Sequence, residues 1–111
     1  MLWKVVFHID ELAKWDLLLG NINNFLGSIE DDECSIRVVI NAAAVCGVTK
    51  SEYIETIKKL KHKNVQFECC KIALAGNLLD EKNLSAAVQI IPSGIKRLVE
   101  LQGKGYAYIK P

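Results

Sequence analysis

The sequence lacks most of the features that assign a protein quickly. Basic and acidic side chains nearly cancel over its 111 residues, leaving a formal net charge of +1. A chain so balanced has no general attraction to nucleic acid or to an anionic membrane, and neither is expected as a direct partner. There is no P-loop, no GxGxxG fingerprint and no GxSxG nucleophile elbow, so the usual signatures of nucleotide binding and serine hydrolysis are missing. Cys34, Cys46, Cys69 and Cys70 show no CxxC spacing. No metal or other cofactor is called for, and the four cysteines read as thiols rather than as a disulfide framework. The first apolar run, Leu2 to Ile9, is interrupted by Lys4 and His8 and followed by Asp10, Glu11 and Lys14. It has neither the length of a membrane span nor the cleavage pattern of a signal peptide, which makes the cytoplasm the expected location.

What is present is apolar surface in regular patterns. Half of the residues are hydrophobic, enough for a single domain over residues 1–111 with one packed core. Leu2–Ile9 reads as a first strand, nearly apolar on both faces. Leu12, Trp15, Leu18, Leu19, Ile22, Phe25 and Leu26 recur at steps of three and four and predict a helix, with Trp15 in the core. The acidic cluster Glu30–Glu33 reads as a solvated turn before a second strand, Cys34–Asn41. Tyr53, Ile54, Ile57 and Leu60 mark a second helix whose lysine-rich end suits the macrodipole, and His62 there reads as exposed. Val65–Leu74 is the predicted central strand, followed by a loop, a short helix near Asp80–Leu84, a fourth strand Ala86–Ile91, a helix bearing Ile95, Leu98, Val99 and Leu101, and a terminal strand from Tyr106 to Pro111. Strands alternating with helices at this spacing imply βαβ units and a mainly parallel sheet covered on both faces.

Ligands in such sheets bind beyond the carboxyl ends of the strands, and the chemically capable residues fall there: His8 and Asp10, Asn41, Cys70, and Ser93 with Gly94. Asp10 reads equally well as an N-cap. Cys69 and Cys70 must point to opposite faces. Cys69 shares its face with Phe67 and Val65 and belongs in the core, whereas Cys70 shares its face with Glu68 and Gln66. Cys46 reads as a packed small residue. Cys70 is then the one strong nucleophile of the crevice. Lys71, loop amides and a helix N-terminus would favour its thiolate, and Glu68 would oppose it. With no metal-ligand spacing and no Cys-His-Asn order, sulfur transfer or redox exchange fits better than acyl hydrolysis with His8 as base. The competing readings are a module that binds a small anion or nucleotide, with Cys70 as a wall, and an assembly subunit whose crevice is vestigial.

Val5-Val-Phe-His-Ile-Asp10 with Trp15, Asn21–Leu26, Val38-Val-Ile-Asn41, Phe67-Glu-Cys-Cys70 with Leu74, and the ending Ile91-Pro-Ser-Gly-Ile95 through Gly105-Tyr-Ala-Tyr-Ile-Lys-Pro111 together resemble the DsrE/DsrF-like family of small intracellular sulfur-metabolism proteins. The resemblance implies a three-layer α/β/α sandwich on a five-stranded parallel sheet, a trimer or hexamer of identical chains, and sulfur carriage as a persulfide on the residue that aligns as Cys70. Sulfur donor and acceptor proteins would be its partners. Where the family often has small or polar residues followed by Gly-Ile, this chain has Lys71-Ile-Ala73 and then Leu78-Leu79. The short aromatic strand Tyr106–Ile109 would leave an edge and apolar rings uncovered. This places Tyr106 or Tyr108 at a subunit contact, unless both rings pack within one protomer.

Overall fold

Residues 1–111 are described by a computed structural model, in which each β-branched run becomes a strand and each amphipathic run a helix. The strands are β1 (Leu2–Ile9), β2 (Glu33–Ile40), β3 (Val65–Cys70), β4 (Val88–Ile91) and β5 (Ala107–Ile109), and the helices are α1 (Trp15–Ile29), α2 (Ser51–Lys61), α3 (Lys71–Gly76) and α4 (Gly94–Gly103). All strand pairs are parallel, in the order β4-β3-β2-β1-β5. The middle strand is therefore β2 rather than the predicted β3, which lies between β2 and β4.

The pleat sorts side chains into two unequal layers. Val5, Phe7 and Ile9 on β1, Ile36, Val38 and Ile40 on β2, and Val65, Phe67 and Cys69 on β3 join a core of 19 buried residues with α1, α2 and Leu74 of α3. Trp15 is fully buried there, stacked between Tyr53 and Phe67 at centroid distances of 5.2 and 6.2 Å, and its indole N–H donates to the Ala44 carbonyl at 2.9 Å. The opposite layer is covered by α4 alone, and its apolar core is only Val6, Val39, Leu98 and Leu101. That thinner layer accommodates the buried polar side chains of the fold, His8 and Glu68, with Cys70 on the same face two residues beyond Glu68. The result is the α/β/α sandwich, with the buried polar side chains confined to the α4 side.

Several details differ from the sequence reading. The predicted strand Val65–Leu74 stops at Cys70, and residues 71–76 form α3. A continued strand would put Ile72 and Leu74 on one face, whereas the helix exposes Ile72 (67%) and buries Leu74 (1%). Residues 86 and 87 precede β4 instead of belonging to it. On α4 the apolar residues divide, with Leu98 and Leu101 buried against the sheet and Ile95 and Val99 turned to the outside. No helix is long and apolar enough to cross a membrane.

Candidate functional site at the carboxyl edge of the sheet

Cys70 is the last residue of β3 and immediately precedes α3. Its β-carbon lies 3.3 Å from the point where a Gly94 Cβ would stand, and the Asn41 β-carbon lies at the same distance. Cys70 and Asn41 thus flank Gly94, the first residue of α4, and their β-carbons are no more than twice that distance apart. A side chain at 94 would sit tighter than ordinary contact against both, so Asn41 and Cys70 would have to give by a few tenths of an ångström. The β2–β3 register pairs Ile40 with Cys69, and one further step sets Asn41 beside Cys70. Ser93 caps α4, its hydroxyl accepting from the Lys96 amide at 3.3 Å. The first-turn amides of an α-helix have no intrahelical acceptor, and together with the macrodipole they favour an anion. Cys70 itself is only 6% exposed.

Two residues beneath Cys70 on the same face, the Glu68 carboxylate is fully buried. Arg97 of α4 donates from Nε to Oε1 at 2.7 Å and from its terminal nitrogen to Oε2 at 3.1 Å, and Arg37 Nε approaches Oε2 at 3.5 Å. The hydrogen bond to Glu68 raises the Arg97 pKa above its ordinary value, so the guanidinium stays charged. Glu68 is therefore neutralised from two directions, and its opposition to a neighbouring thiolate, anticipated from sequence, is largely cancelled. Neither arginine carried a local sequence signal. Arg97 is 29 residues from its partner, and only the fold connects them.

His8 uses both ring nitrogens. The Asn41 carbonyl oxygen, Oδ1, accepts from Nε2 at 2.9 Å, and Nδ1 lies 2.6 Å from the Tyr108 hydroxyl. With the proton on Nε2, the neutral ring accepts the Tyr108 hydrogen at Nδ1. Tyr108, which the sequence reading considered together with Tyr106 for a position at or near a subunit contact, here borders the candidate site. The alternation along β5 was the available clue, since Val6 pairs with Tyr108 and His8 projects from the same face as Val6. The Tyr106 hydroxyl is 2.6 Å from Ser35 Oγ, with Lys4 and Arg37 over its ring at 5.0 and 5.9 Å. Both tyrosine hydroxyls thus find partners within the protomer.

The remaining predicted residues lie at the margin. Asp10 pairs with Lys110 at 3.0 Å, and that hydrogen bond holds its carboxyl below the ordinary range. Asp10 has no capping role, because Glu11 precedes the 3-10 turn at Leu12–Lys14. Lys71 is exposed at the start of α3. Cys69 is fully buried in the main core, where desolvation raises its thiol to about 12, and Cys46 is half-buried against Asn77. No cluster of three metal-ligating side chains is present. The surface cavity that includes Ser93, about 260 Å³, is also lined by Ile91, Pro92, Lys96, Arg97 and Glu100. None of the three surface cavities includes Cys70, Asn41 or His8.

Comparison with known proteins agrees with this architecture. Residues 6–111 match the model of the DsrE/DsrF-like family. A solved structure, the protein of unknown function MTH1491 from Methanobacterium thermoautotrophicum, superposes with a TM-score of 0.87 at 31% identity, over 98% of this chain and 99% of the other. No curated protein matches the chain.

Proposed function

Since the chain belongs to the DsrE/DsrF-like family, we propose that it is a sulfur carrier that holds sulfane sulfur as a persulfide on Cys70. The observation that carries this reading is the seat of that thiol, at the end of a parallel strand with the first turn of α4 packed on it and the nearby carboxylate neutralised by Arg97. In the loading step the Cys70 thiolate attacks the outer sulfur of a donor persulfide. An Sγ–S bond forms, the donor's S–S bond breaks, and the electron pair leaves on the donor thiolate. Transfer to an acceptor thiolate reverses these roles, so no external oxidant or reductant is consumed. Incubation with a low-molecular-weight persulfide followed by peptide mass mapping tests the reading. One added sulfur on Cys70 is expected, and sulfur on other cysteine peptides with none on Cys70 would overturn it.

The same reading includes a cytoplasmic homo-oligomer, a trimer or hexamer. The exposed strand Ala107–Ile109 and the outward Ile95 and Val99 of α4 supply apolar surface for such an assembly. Light scattering at micromolar concentration checks it, and a monomeric mass would refute it. The small exposure of Cys70 favours a second reading, in which the thiol is only a wall of an anion-binding or vestigial site. That reading requires Cys70 to react with a thiol reagent no faster than a free model thiol while the oligomer stays intact.

A further inference from the structure

The carboxamide of Asn41 is half-buried and engaged on one side only. Its oxygen accepts from His8 on β1, while Nδ2 has no hydrogen-bond partner within the chain and is not among the buried unsatisfied atoms. The strand order places β1 on one side of β2 and β3 on the other. A planar amide that turns its oxygen toward β1 leaves its nitrogen free of that bond; Nδ2 makes no hydrogen bond to Cys70 in this structure, but the Asn41 and Cys70 β-carbons both border Gly94, which sets the amide and the thiol on neighbouring strand ends. The amide orientation depends in turn on the histidine tautomer. The Asn41 oxygen can only accept, so Nε2 carries the ring proton and donates to it, and the neutral Nδ1 accepts the Tyr108 hydroxyl hydrogen.

We propose that Asn41 Nδ2 is the side-chain hydrogen-bond donor to the sulfur anion at Cys70, and that His8 and Tyr108 are positioning residues that keep the amide turned to present it. The proposal deepens the persulfide reading by naming the group that receives the anionic sulfur, and it rests on that reading for its biological use. The donor function concerns the resting thiolate as well, so it is testable without any sulfur donor. With Tyr108 absent, the ring is free to carry its proton on Nδ1. The Asn41 amide can then rotate and spend its N–H on Nε2 instead of on sulfur.

Two measurements test this together. Nitrogen NMR of His8, well above the ordinary histidine range, is expected to show the Nε2–H tautomer in the native protein and a mixture of tautomers in Tyr108→Phe. The rate of Cys70 alkylation by iodoacetamide at neutral pH, with the other cysteines mapped separately, should fall about threefold to tenfold in Asn41→Ala, the loss of one hydrogen bond to a charged group. Asn41→Asp, which keeps an oxygen toward His8 but has no N–H, should be at least as slow. Tyr108→Phe should slow alkylation about twofold to fivefold in the native background and not at all in Asn41→Ala, because it acts through Asn41. Equal slowing by Tyr108→Phe with and without Asn41, or native rates in both Asn41 variants, would overturn the proposal. Absence of added sulfur on Cys70 in the persulfide assay, with these rate effects intact, would defeat the carrier reading alone.

Discussion

Arg97 grips Glu68 through both carboxylate oxygens, at 2.7 and 3.1 Å, and so ties the first turns of α4 to the strand that ends in Cys70. The pair is enclosed, with Glu68 only 1% exposed and Arg97 about a quarter exposed. Removing the cation alone strands a buried carboxylate, which in comparable sites costs about 3 kcal/mol or more. Arg97→Met is therefore expected to lower stability by about that amount in urea unfolding. The double variant Glu68→Leu, Arg97→Met should recover much of the loss, because no charge is then left unpaired. A single variant as stable as the native protein would show that Arg37, at 3.5 Å, suffices by itself.

Gly47 is fixed by space rather than by backbone conformation. A β-carbon there would stand 2.1 Å from Trp15 Nε1, and the indole is held by Ala44, Tyr53 and Phe67. Gly47→Ala should cost about 1–3 kcal/mol or more, the range for overpacking a filled core. Calorimetry of Gly47→Ala with and without Trp15→Phe checks the cause, since the smaller ring should reduce the penalty.

Those two relationships mark what the sequence could and could not disclose. The alternation of Val65, Phe67 and Cys69 against Gln66, Glu68 and Cys70 correctly placed Cys69 in the main core and Cys70 on the opposite face, because a strand's period of two needs no tertiary knowledge. The same periodicity misled beyond Cys70, where Ile72-Ala-Leu74 fits a short helix as well as a strand. The positions of His8, Asn41, Cys70 and Gly94 at strand ends were legible from topology alone. Their partners were not: Arg97 and Tyr108 are 29 and 100 residues away, and a single side chain at that separation carries no local pattern.

Asp10 and Lys110 give a directional pH test. The hydrogen bond from Lys110 depresses the Asp10 pKa below its usual value, so the pair's contribution to stability is fully present above the ordinary carboxylate range. It is lost as the pH falls through the lowered folded-state value. The native protein should therefore exceed Asp10→Asn in Tm at neutral pH and converge with it in strong acid. Because both side chains are partly exposed, the difference should be small and should shrink further in high salt. A gap that widened on acidification would contradict the assignment.

Cys69 supplies an internal control for all thiol chemistry at its neighbour. Burial raises it to about 12 and leaves it inaccessible, so in the folded protein it should remain unmodified by iodoacetamide up to about pH 9. It should react fully once guanidinium unfolds the chain. Mass mapping of the peptide that holds both cysteines, with fragmentation to separate them, reads this directly.

The bond between His8 and Tyr108 joins residues 100 positions apart, and β5 reaches the sheet only through β1. During synthesis β1 emerges early, yet its histidine must wait until the chain has been made past residue 108 before its second nitrogen is satisfied. The last strand of the sheet to appear in the chain is thus the one that completes the hydrogen bonding of the first.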